Sequence, residues 1–390
     1  MDPVQLAAIL AATIVLASMI SVEIGFSVAL IELGMGVIVG NVFDLDPNAE
    51  WLTFLATFGS VLLTFLAGAE IDPDDLRERF GASVAIGVVS FAGPFVVTGL
   101  IAWGLLDWTV KASLIAGTAL STTSLAVIYA VLVEDGLNET RIGKLLMSAT
   151  FITDLCTVLA LSAVFIKPNA WYPLFLAVSV LLVLLLPKIA PWFFGRYGDR
   201  VIEPEIKLVF VSLLALMVLA DQAQGHAVLP AFILGLVMAR HYQQHRLEQS
   251  RLRVVAFAFL TPFFFIRGGL NVSLGALAGS LGVLALLFAA KLVPKLGLVL
   301  PLARRYVPPH AAYTTLLMST GLTFGTISSL YGLQAGIIDR TQFSLLLTVV
   351  VLSAIVPTAI AQRWFSPDLE EERLADDSHR AKPIPAEEYV

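Results

Sequence analysis

The sequence predicts an all-α membrane protein of about thirteen transmembrane helices, arranged as two inverted six-helix repeats with crossed, discontinuous helices. Three observations carry this. Of the 390 residues, 58% are hydrophobic and only 14% charged, where a soluble domain is about one-quarter charged. Apolar windows of about 20 residues, the length that spans a bilayer, recur along the chain. Lys and Arg fall mostly on one side of those windows.

The windows run near 4–22, 26–43, 51–71, 80–106, 112–134, 141–166, 171–193, 204–222, 227–241, 252–275, 279–303, 310–333 and 341–365. The stretch Met1-Asp-Pro-Val-Gln5 lacks the basic region of a signal peptide, so the first window reads as a retained helix. With the N-terminus outside, eighteen of the 24 basic residues fall on inner loops and the tail, four on outer loops, and Lys291 and Lys295 inside a helix. Cytoplasmic loops carry the excess of Lys and Arg, which predicts an N-out, C-in protein of the cell membrane. From Ser366 the chain carries eight acids, three bases and three prolines, the composition of a solvated cytoplasmic tail.

Thirteen helices divide as six, one and six, so the first and eighth start on opposite sides of the bilayer. That is the layout of inverted-repeat transporters. The fifth helix of each half is odd in the same way. One contains Gly117-Thr-Ala-Leu-Ser-Thr-Thr-Ser124, the other Ser319-Thr-Gly-Leu-Thr-Phe-Gly-Thr-Ile-Ser-Ser329. Gly and Thr weaken a helix interior, and hydroxyls satisfy the backbone groups a break sets free. Breaks are expected around Ser121 and Ser124 in the first, and around Gly321, Thr323 and Gly325 in the second.

Asp154 lies at the middle of the sixth window. A charge there costs about 2.5–3.5 kcal/mol on insertion scales. A carboxylate holds either a monovalent cation or a proton, and a group that holds one or the other suffices for exchange. Thr150 lies one turn earlier on the same face, Thr153 precedes it and Thr157 follows by three. These hydroxyls, with Thr122 and Thr123 at the first break, are candidates to donate to the carboxylate or to coordinate the cation. Lys291 sits at equal depth in the eleventh window and is the expected partner of Asp154. Lys295, one turn nearer the inner surface, reads as a structural lysine whose head reaches the interface. Glu32, Glu70 and Asp221 read as interfacial or packing groups, and Arg267 as the end of the tenth helix. His241 and His245 share a helical face, but zinc needs further ligands.

Other classes find no support. There is no nucleophile–base pair, metalloprotease motif or phosphate loop, so neither an enzyme nor a cofactor is expected. A net charge of −6 without a basic patch argues against nucleic acid. Cys156 is the single cysteine, which rules out an intrachain disulfide.

Five segments, in order, resemble the membrane domain of monovalent cation:proton antiporters of the NapA-like and KefC-like branch. They are Phe65-Leu-Ala-Gly-Ala-Glu70, the Gly117–Ser124 stretch, Pro230-Ala-Phe-Ile-Leu-Gly-Leu-Val237, Pro262-Phe-Phe-Phe265 and the in-membrane Lys291. The resemblance covers about residues 25–365. It implies a core transport part (about 80–166 and 278–365) moving against a dimerisation part (about 1–79 and 204–277), with 171–193 as linker and a homodimer as the assembly. It also implies that Asp154 is the essential aspartate, Thr123 the broken-helix threonine and Lys291 the lysine that pairs with the carboxylate. Two departures stand out. Relatives often place a second polar side chain, Asp, Asn or Gln, where this chain has Thr153, and Arg-Gly-Glu where it has Thr320-Gly321-Leu322. A single carboxylate favours one-for-one, electroneutral exchange of Na⁺, or K⁺, for protons. The alternatives are a sodium-coupled symporter of organic anions, which needs a larger cavity, and a potassium channel, which needs a carbonyl-lined filter.

Overall fold

The computed structural model describes residues 3–25, 27–43, 45, 47–70, 79–135, 137, 140–165, 169–198, 200–223 and 225–367. The acidic tail beyond Pro367, and Asp72, Arg77 and Lys167, lie outside the described residues. Every described element is helical: α1 (Pro3–Ile24), α2 (Val28–Phe43), α3 (Glu50–Ala69), α4 (Phe80–Gly104), α5 (Val110–Ser121), α6 (Leu125–Glu134), α7 (Arg141–Phe165), α8 (Tyr172–Tyr197) and α9 (Pro204–Gln222). There follow α10 (Val228–Gln244), α11 (Arg246–Val255), a π turn (Ala256–Leu260), α12 (Thr261–Leu270), α13 (Leu274–Ala278) and α14 (Leu281–Tyr306). The chain closes with a 3₁₀ turn (Pro308–His310), α15 (Ala311–Leu317), α16 (Thr323–Gln334) and α17 (Arg340–Trp364).

Nine helices among the described residues are long and apolar enough to cross a membrane, and 28–43 is a shorter apolar one. The windows 204–222, 227–241 and 310–333 fall outside that set because they are more charged, shorter or interrupted. Only 17% of the apolar window of α1 and 22% of that of α8 is buried inside the protein, against 72% for α3. Val15, Leu16 and Met19 of α1 and Leu176, Leu181 and Leu184 of α8 are exposed, a surface suited to lipid rather than water.

Local chemistry explains the boundaries. The Thr109 hydroxyl caps α5, accepting from the Ala112 N–H at 3.2 Å. Asp339 and Gln342 form a reciprocal capping box on α17, at 2.8 and 2.9 Å. Pro262 has no N–H to continue an α-helical ladder, and the chain widens into the π turn just before it.

Two helix pairs approach through reciprocal glycines. A Cβ on Gly68 of α3 would strike the Phe232 carbonyl of α10, and one on Gly235 of α10 would strike the Phe65 carbonyl of α3. Gly36 of α2 and Gly269 of α12 stand in the same relation, against the Ile266 and Leu33 carbonyls. Small residues that let backbones touch are how membrane helices associate tightly.

Candidate functional site

Two helices break inside the protein. After α5 the residues 122–124 are irregular, with Thr122 extended at φ −61° and ψ 152°, before α6 resumes. After α15 the chain is irregular over 318–322 before α16. The breaks touch: the Thr123 hydroxyl donates to the Met318 carbonyl at 3.0 Å, and the Ser124 N–H donates to Thr320 Oγ1 at 3.4 Å. Each break exposes the carbonyl end of a half-helix, which carries partial negative charge. The crossing therefore calls for cations.

It receives two. Lys295 Nζ donates to the Met318 carbonyl at 2.6 Å, the Thr122 carbonyl at 3.0 Å and Thr123 Oγ1 at 3.1 Å. Lys291 Nζ donates to the Thr122 carbonyl at 3.2 Å. Both side chains are fully buried. The expectation that Lys295 reaches an aqueous interface is therefore corrected: its head is buried and held by the half-helix carbonyls of Thr122 and Met318. Gly321 makes room, since a Cβ there would run into Lys291 Nζ and lie 3.0 Å from Thr122 Oγ1. At Gly325 a Cβ would lie 2.7 Å from a Val350 methyl, so this glycine serves packing between α16 and α17.

Asp154 projects from α7, 2% exposed. Its Oδ1 is buried and has no hydrogen-bond partner. Lys295 is the basic side chain that bears on it most, and Glu70 lines the same cavity. No ion pair joins Asp154 to Lys291 in this conformation: among the described residues Lys291 bonds to the break, not to the carboxylate. Nor do the neighbouring threonines donate to Asp154. Thr150 donates to the Leu146 carbonyl at 2.8 Å, Thr153 to the Ala149 carbonyl at 3.1 Å and Thr157 to the Thr153 carbonyl at 2.8 Å. Helical hydroxyls bond back to residue i−4, and that leaves only their oxygen lone pairs for a cation.

A cavity of about 40 Å³ adjoins the carboxylate. Asp154, Thr123, Leu125 and Ala126 line one side with Thr323 and Phe324; Leu63, Leu66, Ala67 and Glu70 of the α3 end line the other, with Phe257 of the π turn. Thr122, Thr150 and Thr153 do not line it. Its rim holds an ion pair of 2.7 Å between Arg253 and Glu70. A wider cavity of about 740 Å³ opens along the first half of α3, from Asn48 and Glu50 to Val61, and reaches His226 and Tyr331. At the wide cavity, Tyr331 shares a hydrogen bond of 3.2 Å with Ser60. Phe232 of α10 stacks on Phe151 of α7 at 5.4 Å and meets Phe324 edge-on at 6.1 Å.

Sequence reasoning under-read Lys295, Glu70 and the Arg253 that holds it, and missed Phe257. Lys295 carried a signal: it lies one turn from Lys291, so the two share a face.

These features describe a polytopic membrane protein with a buried carboxylate between two broken helices. The family described as sodium/hydrogen exchanger, transmembrane, matches residues 8–365, and the chain belongs to that family. It is 29% identical over 253 residues to the probable Na⁺/H⁺ antiporter 3 of Methanocaldococcus jannaschii, covering 61% of this chain and 64% of that protein. Similarity to the Na⁺/H⁺-K⁺ antiporter GerN of Bacillus cereus is 23% over 385 residues, covering 93% and 95%. The chain spans 58% of the putative Na⁺/H⁺ antiporter YjbQ of Bacillus subtilis, and thus under two-thirds of two of these relatives. The solved structure of the sodium proton antiporter MjNhaP1 from Methanocaldococcus jannaschii superposes with a TM-score of 0.71 at 15% identity, covering 94% of this chain and all of that one. At that identity it establishes the fold.

Proposed function

We propose that this protein is a secondary antiporter that exchanges a monovalent cation, Na⁺ or K⁺, for protons at Asp154. The observation that carries the reading is the unpartnered buried Oδ1 of Asp154 beside a cavity of about 40 Å³. About 10–15 Å³ of such space holds one water, so the cavity suits a monovalent cation with a few waters, and its small size weighs against the organic-anion symporter reading. Thr123 lines the cavity and supplies a hydroxyl oxygen; Thr122, Thr150 and Thr153 support the site from the break and the α7 backbone. Cation and proton compete for one carboxylate, and one-for-one exchange is electroneutral.

Alternating access follows as movement of the part carrying both breaks against the part carrying α3 and α10. Two features support a thirteen-helix, inverted-repeat reading: breaks in the fifth and twelfth segments, and glycine-paired contacts between segments three and nine and between ten and two, which an inverted repeat interchanges. A homodimer in the cell membrane, N-terminus outside, completes the proposal.

The test is transport in proteoliposomes carrying an internal pH dye. Addition of Na⁺ or K⁺ to the outside is expected to move the internal pH, and Asp154→Asn to abolish the movement. If Na⁺, K⁺ and Li⁺ all leave the internal pH unchanged with the protein folded and inserted, the reading is wrong. Clamping the voltage with an ionophore leaves the rate unchanged if exchange is electroneutral.

A further inference from the structure

Away from the crossing, the corner between α10 and α11 assembles a second cluster. His241 lies in the last turn of α10, His245 is the joint residue between the two helices, and Glu248 lies in the first turn of α11. One donor atom from each falls within 4.8 Å of the others. His241 Nε2 and a Glu248 carboxylate oxygen are 2.8 Å apart, with the side chains only 10% and 17% exposed. The His245 ring lies parallel to that of His241, centroids 4.4 Å apart and planes 17° from each other. His245 Nδ1 is 3.0 Å from the His241 carbonyl. A carbonyl only accepts, so Nδ1 carries the proton and Nε2 keeps its lone pair. A hydrogen bond on the far ring nitrogen is how a metal-binding imidazole is oriented. Phe194 packs edge-on against His241 at 5.2 Å and restricts its ring.

We propose that His241, His245 and Glu248 form a binding site for a borderline divalent transition-metal ion of the zinc class. Two imidazoles and one carboxylate are a donor set zinc takes with water in its fourth position. Mg²⁺ and Ca²⁺ take oxygen donors and would be poorly served. Donors bonded at about 2.1 Å in a tetrahedron lie about 3.4 Å apart, so donors up to 4.8 Å apart close by up to about 1.4 Å, which the exposed His245 side chain supplies. The spacing i, i+4, i+7 would put all three on one helical face, but the chain turns at His245 and folds the third ligand back.

The site has a route to the Asp154 cavity. On α11, Gln249 donates to the Ala69 carbonyl at 3.3 Å and Arg253 pairs with Glu70. A metal holding the α10–α11 corner holds the helix that braces the inner end of α3.

The experiment uses the full chain, purified without a polyhistidine tag and stripped with chelator. Zn²⁺ titration by calorimetry is expected to give one ion per chain at micromolar or tighter affinity, and Co²⁺ to give the intense visible absorption of a four-coordinate site. His245→Ala, at an exposed position, and Glu248→Gln, which retains a hydrogen-bonding group for His241, are each expected to weaken binding at least tenfold. Stoichiometry well below one, or unchanged affinity in both variants, would overturn the proposal and assign any binding to His226, His310 or His379. Binding is read without transport, so it can fail or hold independently of the antiport reading.

Discussion

Helix α3 has two unlike faces. Toward α10 it is locked: Gly68 and Gly235 each lie where a Cβ would enter the partner's backbone. Toward α6, α7 and α16 it is loose: the Asp154 cavity lies between them, the wide cavity, walled mostly by α9, reaches Tyr331 and Gln334, and Ser60 bonds to Tyr331. The wide cavity ends at Val61 and the Asp154 cavity begins at Leu63. Backbone-to-backbone packing has a single register and resists sliding, because packed interfaces are not continuously deformable. Side-chain contacts across a gap can be exchanged for others. Under the proposed alternating access, the difference marks the surface along which one part would move: between α3 with α10 and the bundle of α6, α7 and α16.

Breaking the locked face should cost most. Gly235→Leu is expected to destabilise the protein by about 3 kcal/mol or more, since overpacking against backbone cannot relax by a rotamer change. Thermal unfolding in detergent would show it, and a wild-type melting temperature would mean the two helices can separate. The crossing is a second fixed point. Lys295→Ala removes three hydrogen bonds and should cost about 2–3 kcal/mol, against about 1 kcal/mol for Lys291→Ala, which removes one. Equal losses would mean that the lysines do not differ in role.

The loose face should respond in rate rather than stability. Tyr331→Phe deletes the Ser60 bond and should cost no more than about 1 kcal/mol, while initial exchange rates in proteoliposomes rise up to about fivefold. A fall in both would place Tyr331 among the fixed contacts.

A pH-dependent effect concerns His226, in the loop before α10 and 4.3 Å from the Tyr331 ring. Burial pushes its imidazole down to about 4 from the usual 6.5. The unfolded chain therefore binds the extra proton first, and stability falls as pH drops from about 6.5 toward 4. His226→Gln should flatten that slope in melting temperatures recorded between pH 7 and 4.5. An unchanged slope would assign it to other groups.

Much of this was legible in the sequence. Lipid-length windows mark helices because the bilayer demands them, and the glycine and hydroxyl clusters at 117–124 and 319–329 mark breaks because few residues tolerate an open helix there. Asp154 was legible because an apolar span has no use for an unpaired carboxylate. What was illegible depends on contacts between segments. Lys295 looked superficial by depth, yet the half-helix carbonyls that attract it belong to two other helices. The threonines beside Asp154 share its face, but their protons go to their own backbone. Arg253 meets Glu70 only because a π turn and a corner bring α11 beneath α3.

The most direct measurement counts protons. In calorimetry at fixed pH, Na⁺ and K⁺ are titrated into the purified protein in buffers of different ionisation enthalpy, which reports the protons released per cation bound. Competition at one carboxylate predicts up to one proton per cation, approaching one where Asp154 is protonated before binding, and no release in Asp154→Asn. Cation binding without proton release at any pH, or release that persists in Asp154→Asn, would contradict the assignment of Asp154 as the shared site.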